Sequence, residues 1–431
     1  MHPDERASPG TWVLTAYLAE GIPFAVVIWV AGTMFKDLGY SDTEITLNTA
    51  GIGIVWSLKP FWAAFLDMHR TKKFWVLATE FFMSALLAAI ALALHLNSYF
   101  RIIILALWAL AFASATQDIC VDGVYITALD KKAQAAWVGV QGMCWNAGRI
   151  FATAAVVWLA GRLKDSGQDS KTAWTYALGL SGAAMGALGI YHRAFLPTGT
   201  VAQRPKDATE IVATFFDAVR AFFRKESIWG MLLFVFLYRT GEGFLLVEAP
   251  LFMQAPLTAG GLGLSLGQKA FVDGTVSTTV SIIGGLLGGA FVAKVGLRRG
   301  LFPLAICLNV PHLCYVFLSQ AASPTHPLSM HTVELLVSLE KFGYSFGFVG
   351  NMLYMMQQIA PGEYKMTHYA FATALMNLVL VPTQMISGPL ADGLGYRRFF
   401  VFVLVASIPS IIAAWRAPFP ILQEATGVTA E

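Results

Sequence analysis

Charged residues are scarce in this 431-residue chain: Asp, Glu, Lys and Arg make up 13% of it, whereas hydrophobic residues make up 56%. Soluble globular domains contain about 25% charged residues, so the composition excludes an ordinary soluble protein. The formal net charge is only +3, and the basic residues lie in short segments between apolar runs, which argues against nucleic-acid binding. We therefore interpret the chain as a polytopic membrane protein.

Residues that support metal or redox chemistry are also few. The four cysteines (Cys120, Cys144, Cys307 and Cys314) lie within apolar runs and form no CxxC pair, so neither a disulfide framework nor a metal site is predicted. The eight histidines include no HExxH motif, and the glycine-rich segment 260–267 lacks the spacing of a nucleotide-binding loop. We expect no cofactor and no metal, so an ion gradient would have to drive any transport.

Twelve apolar runs are long enough to cross a bilayer as helices, which need about 20 residues each. Open strands would leave backbone groups unpaired in lipid, and these runs are too long for barrel strands. The sequence therefore predicts an all-α fold with twelve transmembrane helices, at 11–34, 44–66, 74–95, 101–128, 134–160, 173–192, 228–252, 267–292, 300–319, 332–358, 368–389 and 398–417. Two boundaries carry local signals: Ser41 and Glu44 have capping-box spacing, and Pro361-Gly362 follows the tenth run.

The distribution of basic residues predicts the orientation of these spans. With a cytoplasmic amino terminus, the cytoplasmic segments hold 17 of the 29 Lys and Arg residues and the opposite side holds 7. Because short cytoplasmic loops are enriched in Lys and Arg, we expect both termini to be cytoplasmic. The first apolar run is longer than a signal-peptide core, so no cleavable leader is expected.

The longest polar segment, 193–227, divides the chain into an amino-terminal bundle (1–192) and a carboxyl-terminal bundle (228–431) of six helices each. On a helix in this linker, Ile211, Phe215, Val219 and Phe222 would share one face. That pattern is typical of a helix that lies on the inner membrane surface. A soluble linker helix is the alternative.

The two halves also resemble each other. Segment 63–73, which ends in Lys72-Lys73, aligns with segment 289–299, which ends in Arg298-Arg299. A second match joins Tyr17 and Glu20 in the first span to Tyr238 and Glu242 in the seventh. Two matches at corresponding places favour an internal duplication in a six-plus-six arrangement.

Segment 114–125 places two carboxylates, Asp118 and Asp122, inside an apolar run. A charge near the centre of a bilayer costs about 2.5–3.5 kcal/mol on insertion scales, so such residues usually face a bundle interior or a water-filled path. The two residues are four apart and share a helix face with Ser114 and, nearly, Tyr125. One interpretation is a proton or substrate site; the other is a structural pair that a basic residue of a neighbouring helix neutralises.

Further embedded charges extend this pattern. Glu20 and Glu242 occupy matching positions of the two halves, which makes them candidates for proton coupling together with Asp118 and Asp122. Arg149 could bind a carboxylate or phosphate of a solute, or could pair with Asp118. Arg239 and Glu242, like Lys269 and Asp273, are spaced so that each pair could also neutralise itself on one helix.

The loop that ends in Lys72-Lys73 resembles the signature loop of the major facilitator superfamily, with a small residue, the acid Asp67 and a basic pair. It departs from that pattern at Ala63 and Met68, and the second copy has Ala293 in place of the acid. The motif Ser-Ala-Thr-Gln-Asp-x-x-x-Asp at 114–122 resembles the fourth-span motif of the AmpG-type muropeptide permeases. Segments 56–62, 237–242 and 284–289 are similar to the same family, which also includes acetyl-coenzyme A transporters.

The resemblance implies a monomeric secondary transporter in the lipid of a bacterial inner membrane, not an enzyme. Its expected activity is proton-coupled uptake, by alternating access, of an amino-sugar-containing solute such as a muropeptide or related saccharide. Candidate substrate-binding residues are Tyr17, Gln117, Tyr125, Trp145, Arg149, Tyr238 and Arg239, although the aromatic ones could equally be packing residues. Candidate gating residues are Asp67, Lys72, Lys73, Arg298 and Arg299.

Three alternatives remain open. Within the transporter class, the solute could be acetyl-coenzyme A or another organic anion. A polytopic membrane transferase would carry a catalytic motif near a membrane surface and large catalytic loops. The longest loop here, 193–227, is short and contains no such motif. A sensor derived from a transporter would bind the solute without carrying it. Under the transporter hypothesis, Asp122 and Glu242 carry the coupling proton and Asp118 is the structural partner of Arg149.

Overall fold

The structure, a computed structural model, describes residues 8–59, 61–62, 66, 70–129, 131–199, 208–362 and 364–421. Within these residues the chain is helical, and it forms no strand beyond an isolated bridge between Ser323 and His326. The main helices, in chain order, are α1 (Pro9–Asp37), α2 (Asp42–Thr49, continued by Ala50–Gly53 and Ile54–Ser57), α3 (Lys72–Ala93), α4 (Tyr99–Ala128), α5 (Lys131–Ile150, continued by Phe151–Val156 and Val157–Asp165), α6 (Ser170–Phe195), α7 (Ala208–Phe223), α8 (Ile228–Gln254), α9 (Leu266–Val295), α10 (Leu297–Ala321), α11 (Met330–Tyr354, continued by Met355–Ile359), α12 (Lys365–Leu394) and α13 (Tyr396–Trp415).

Each predicted span overlaps one of these helices, and α7 is the additional helix of the linker. The second span is predicted to extend to 66, and its part beyond Ser57 lies largely outside the described residues. In the described part of the chain, nine of the helices are long and apolar enough to cross a membrane. The predicted all-α class is confirmed, and the protein is an integral membrane protein.

The predicted helix boundaries have clear local causes. Ser41 and Glu44 form the expected capping box: the Ser41 hydroxyl accepts a hydrogen bond from the Glu44 amide (3.2 Å), and the Glu44 carboxylate accepts one from the Ser41 amide (3.0 Å). At the other end of the chain, α11 stops at Ile359, just before Pro361. The Lys225 ammonium donates to the carbonyl oxygens of both residues, at 2.5 Å each. It thereby pairs carbonyl groups that a helix end leaves free.

Among the described residues, wide π-turns occur in four helices: Val26–Val30, Phe151–Val156 and Ala270–Val276 lie within α1, α5 and α9, and Met355–Ile359 ends α11. A π-turn adds a residue to the helical turn and so rotates the faces that follow it. The turns of α5 and α9 lie against each other, because a Cβ atom at Gly274 would lie only 2.8 Å from the Cβ of Ala154. The first and second halves of the chain therefore approach closely at these two turns.

Glycines allow α9 and α11 to pack closely, as the small-residue spacing of 284–289 predicts. A Cβ atom at Gly284 would lie 2.7 Å from the Phe342 carbonyl oxygen, and one at Gly288 would lie 2.6 Å from that of Phe346. Gly285 and Gly289 point elsewhere, since a Cβ atom there would meet nothing within 4 Å. Only one face of the glycine cluster is therefore needed for packing.

The linker helix α7 docks on the second half of the protein. Phe222 is fully buried, with its ring edge-on to His368 (5.5 Å) and Phe371 (5.8 Å) of α12. The imidazole of His368 also lies 3.0 Å from the carbonyl oxygen of Ala218. The expectation that Phe222 faces the membrane is therefore wrong, because α12 covers it; Phe216 remains 64% exposed on another face. The side chains of Ile211 and Phe215 lie outside the described residues.

The two halves are joined at the end where α1 leads into α2. Asp42, at the start of α2, is buried and binds both Lys36 of α1 and the hydroxyl of Tyr396, which begins α13. Nearby, the Thr43 amide donates to the Asp392 carboxylate (2.9 Å) and the Gln254 amide group donates to the Thr33 carbonyl (3.1 Å). These contacts close the interface between the halves at this end.

Candidate functional site

A cavity of about 460 Å³ lies between helices of the first half and α12 of the second half. It combines three ionisable groups with aromatic faces and small polar groups. Its described lining consists of Glu20 and Phe24 of α1, Trp56, Ser57 and Lys59 in and just after α2, Ser114 and Asp118 of α4, Trp145 of α5, and Thr373, Ala374 and Asn377 of α12. A cavity of this size and composition suits a small polar solute with an apolar face.

Close packing of α1 against α5 places Glu20 and Trp145 on the same wall. Gly21 lies directly against α5: a Cβ atom there would overlap the Trp145 carbonyl oxygen and lie 3.1 Å from the Gly148 Cα. Gly148 in turn packs against the Leu18 carbonyl. Larger residues at these glycines would force the helices apart and separate the two lining side chains.

Lys59 and Asp118 form an ion pair in the cavity. Both side chains keep some exposure, 27% for Lys59 and 20% for Asp118. Glu20 lies beside them and is only 3% exposed, and its Oε1 atom has no hydrogen-bond partner among the described residues. Lys59 and Asp122 both act electrostatically on Glu20. One cation therefore serves several carboxylates.

Asp122 lies one turn beyond Asp118, as the sequence predicts, and is held by α1. Its carboxylate accepts a hydrogen bond from the Tyr17 hydroxyl at 2.8 Å. Tyr125 packs edge-on against Tyr17 (5.8 Å) and Trp12 (6.4 Å). The two tyrosines thus surround Asp122 and do not belong to the described lining of the cavity.

A second polar chain lies behind this wall. Gln117 does not reach the cavity lining; its amide group donates to Glu80 of α3 at 2.9 Å. The same carboxylate oxygen lies 2.7 Å from Nδ1 of His192 in α6, and Nε2 of His192 lies 2.9 Å from the Thr15 hydroxyl. The sequence analysis did not predict that His192 contacts Glu80. A signal was present, because each is a polar residue within or beside an apolar run, and such residues usually face the interior of a helix bundle.

Arg149 does not pair with Asp118, so that expectation is wrong. Its guanidinium lies over the ring of Trp29, 5.5 Å from the centroid, while Asp118 binds Lys59. The titratable groups that act on Arg149 are Tyr344 of α11 and Asp273 of α9, both in the second half. Its Nε atom is buried and has no hydrogen-bond partner among the described residues. Arg149 can therefore still bind an anion.

Arg239 and Glu242 pair with each other in the second half. The Arg239 Nε donates to Glu242 Oε2 at 2.7 Å, and a second bond joins the same two groups. Arg239 lies where α8 breaks, between Ile228–Tyr238 and Thr240–Gln254, and its guanidinium covers the ring of Phe348 at 4.7 Å. Tyr238 is fully buried and donates its hydroxyl to the Gly347 carbonyl at 2.8 Å, so it is a packing residue here.

Two more ion pairs lie near Arg149. Lys269 binds Asp273 (3.0 Å) and also the hydroxyl of Thr33 in the first half (3.0 Å), while Lys341 binds Glu340 (3.1 Å). Lys341 and Arg149 both act on Asp273. These cations of the second half are thus each paired with an acid, whereas Lys59 in the first half is shared by Glu20, Asp118 and Asp122.

The candidate gating residues are only partly described. Asp67 lies outside the described residues. Lys72 is buried against α4, where a Cβ atom at Gly123 would overlap its side chain, and the Lys73 amide donates to the Thr198 carbonyl at 3.2 Å. Arg298 and Arg299 are exposed, and Arg298 lies 5.9 Å from the centroid of the Phe419 ring. The described residues hold no group of three or more His, Cys, Asp or Glu side chains placed to bind a metal.

Comparison with known proteins agrees with this architecture. Residues 13–380 match the family model of the Major Facilitator Superfamily. The anhydromuropeptide permease of Escherichia coli is 23% identical over 407 residues, covering 91% of this chain and 76% of the permease. A relative in Rickettsia conorii that carries the name AmpG 4 is 21% identical over 412 residues, covering 91% of this chain and 92% of the relative.

Solved structures show the same fold at low sequence identity. A bacterial homologue of the human lysosomal transporter Spinster, in an inward-facing and unoccupied conformation, has a TM-score of 0.71 at 16% identity and covers 96% of this chain and 98% of its own. The nucleoside transporter NupG has a TM-score of 0.70 at 13% identity, covering 96% and 98%. The names of the relatives and the shared fold bear out the transporter interpretation against the transferase, and a small-molecule solute follows from it. The chain therefore belongs to the Major Facilitator Superfamily and is a secondary transporter with AmpG-type permeases among its relatives.

Proposed function

We propose that this transporter couples the entry of protons to the uptake of an amino-sugar-containing solute, such as a muropeptide or a related saccharide, across a bacterial inner membrane. The observation that carries the proposal is the cavity, in which carboxylates, one lysine and two tryptophans face each other between the two halves. Rings such as those of Trp56 and Trp145 can stack on the apolar face of a sugar, and the ionisable groups can bind protons and charged substituents. The name of the Escherichia coli relative supports the solute class.

The proton would be carried by the buried acids Asp122, Asp118, Glu20 and Glu242. In a medium of low dielectric constant, a carboxylate without a close cation favours its neutral form. Asp118, Asp122 and Glu20 share Lys59, so they are not all neutralised when ionised. Glu242 depends instead on Arg239. A carboxyl that loses its cation as the cavity alternates sides would bind a proton on one side and release it on the other.

The solute would bind among the cavity side chains, with Arg149, which lies outside the described lining, available for a second carboxylate or a phosphate of a larger solute. Arg149 suits this role because its planar head offers five donors and its Nε atom is unpaired among the described residues. Trp145 would support the sugar ring. Arg239, Tyr238, Tyr17, Tyr125 and Gln117 would act from behind the lining by holding the acids and helices in place.

Transport would proceed by rocking of residues 1–192 against residues 228–431, with 193–227 as the connection. Three clusters of buried residues follow this division: one draws only on residues between Trp12 and Leu196, and two draw only on residues between Phe222 and Ala414. A fourth cluster joins the halves, since Leu251, Leu266 and Ala270 pack among residues of the first half. With both termini cytoplasmic, the closed end around Asp42 would be periplasmic and the protein would face inward. We further propose that the protein works as a monomer and that Asp67, Lys72, Lys73, Arg298 and Arg299 act at the cytoplasmic gate.

Uptake into proteoliposomes tests this function. Purified protein would be reconstituted and offered labelled N-acetylmuramic acid, an anhydromuropeptide, acetyl-coenzyme A and a nucleoside, with and without an inward proton gradient. We expect accumulation of the amino sugars only with the gradient. Accumulation of acetyl-coenzyme A alone would show that the solute is not an amino sugar. Accumulation that does not depend on the gradient would exclude proton coupling. Binding without flux of any probe would favour a sensor.

A further inference from the structure

We infer that the Lys59–Asp118 ion pair is opened by the solute itself: a carboxylate of the solute takes Lys59, and Asp118, thereby released, takes a proton from water. The inference rests on the proposed function and narrows its substrate class to solutes that carry an anionic group. It also assigns to Lys59 a direct role in selecting the solute.

The position of the pair is the first support. Lys59 and Asp118 both line the cavity, and each keeps about a quarter or a fifth of its side-chain surface exposed. Most ion pairs elsewhere in the protein's interior, such as Arg239–Glu242, are covered more completely, with side-chain exposures of 7% and 4%. A solute in the cavity can therefore contact Lys59 and Asp118 directly, whereas a covered pair such as Arg239–Glu242 is less accessible to it.

The surrounding charge is the second support. Lys59 lies after α2, and the charged groups that act on it are Glu20 of α1 and Asp122 of α4. Glu80 of α3 acts in turn on Glu20, and Tyr17 of α1 donates a hydrogen bond to Asp122. The second half contributes Thr373 and Asn377, which do not ionise in this range. Apart from Lys59, the charged members of this set are acids. An incoming carboxylate therefore has one cation to bind within this set, and Asp118 already occupies it.

Charge balance then links binding to protonation. When a solute carboxylate binds Lys59, Asp118 loses its counter-ion while Glu20 and Asp122 stay close by. A carboxylate in such surroundings is strongly disfavoured unless it is paired or protonated. One proton taken from water restores the original charge of the cavity. The only bond change is the transfer of this proton from a hydronium ion, which becomes water, to the Asp118 carboxylate, and the solute and the proton enter the site together.

Cavity occupancy can be measured directly, because Trp56 and Trp145 line the site and their fluorescence should respond to a bound solute. The probes are N-acetylmuramic acid, N-acetylglucosamine, which has the same ring without the lactyl carboxylate, and acetyl-coenzyme A. The proteins are the wild type, Lys59→Met, Lys59→Arg, Asp118→Asn and the double variant Lys59→Met/Asp118→Asn. The double variant removes both members of the ion pair, so it controls for misfolding of Lys59→Met that an unpaired Asp118 carboxylate would cause.

We expect the wild type to bind N-acetylmuramic acid at least tenfold more tightly than N-acetylglucosamine. Lys59→Met and the double variant should lose that preference, Lys59→Arg should keep part of it, and Asp118→Asn should bind the acid more tightly because its competitor for Lys59 is gone. Calorimetry in buffers of different ionisation enthalpy should show uptake of about one proton per acid bound by the wild type and none by Asp118→Asn. A purely structural role for Asp118 would not change that proton count.

Several results would overturn the exchange: equal binding of the two sugars by the wild type, an unchanged preference in a folded Lys59→Met or double variant, or no anionic probe that binds. Unchanged proton uptake in Asp118→Asn would do the same. A different result would reject the proposed amino-sugar solute but not the exchange: acetyl-coenzyme A binds, Lys59→Met loses that binding, and neither sugar binds.

Discussion

The hydroxyl of Tyr396 in α13 donates a hydrogen bond to the carboxylate of Asp42 at the start of α2, and this bond joins the second half of the transporter to the first. Asp42 also binds Lys36, so the carboxylate is shared between both halves. A bond to a charged group typically contributes about 1.5–3 kcal/mol. Loss of this one bond should therefore shift the balance between the closed and open arrangements of this end.

Tyr396→Phe should raise the open population at this end about tenfold or more, because it removes the hydroxyl and keeps the ring. Spin labels can be attached at Ser166→Cys and Thr258→Cys, which are exposed at this end of the first and second halves. Double electron–electron resonance should then show a longer distance between the two labels. Tyr315→Phe is the matched control, since the buried Tyr315 hydroxyl has no hydrogen-bond partner among the described residues. An identical distance distribution in Tyr396→Phe and Tyr315→Phe would show that the Tyr396–Asp42 hydrogen bond does not hold this end closed.

Gly288→Ala should destabilise the protein, whereas its neighbour Gly289→Ala should not. A Cβ atom at Gly288 would lie 2.6 Å from the Phe346 carbonyl oxygen, but one at Gly289 would meet nothing within 4 Å. Overpacking of a close contact costs about 1–3 kcal/mol, and alanine is otherwise better than glycine in a helix. Thermal unfolding in detergent, followed by fluorescence, would measure both variants. A lower midpoint for Gly289→Ala than for Gly288→Ala would contradict the assigned helix contact.

Membrane orientation can be tested with single cysteines in a background that lacks the four natural ones. Arg193→Cys and Arg298→Cys should react with an impermeant reagent only in inverted vesicles. Ser166→Cys and Thr325→Cys should react only in intact cells, because the distribution of basic residues predicts cytoplasmic termini. All four positions are exposed, so failure to react would reflect sidedness. Reaction of any one position from the opposite side would contradict the proposed topology.

Periodicity and length predicted the helices well because both properties are local. The twelve apolar runs became helices, the Ser41–Glu44 capping box formed, and Asp118 and Asp122 lie on neighbouring turns as their spacing requires. The fourth-span motif also pointed to the cavity, since Ser114 and Asp118 line it.

Pairings between helices could not be predicted in the same way. Depth in the membrane suggested Arg149 as the partner of Asp118, but depth does not give the rotation of a helix about its axis. Gly21 and Gly148 set how α1 and α5 cross, and the π-turn Val26–Val30 changes the rotation of α1 at Trp29. Arg149 consequently lies over Trp29, and Lys59 is the partner of Asp118. The contact of Glu80 with His192 similarly joins α3 to α6, which are far apart in sequence.

The most direct test of proton-coupled transport compares accumulation driven by a proton gradient with counterflow, in proteoliposomes of Asp118→Asn, Asp122→Asn and Glu242→Gln. Counterflow requires solute binding and alternation of the cavity but no net movement of protons. We predict that each neutral variant loses gradient-driven accumulation of N-acetylmuramic acid and keeps measurable counterflow. The surface variant Asp165→Asn should keep both. If all three neutral variants still concentrate the solute as the wild type does, these acids do not carry the coupling proton and the account is wrong.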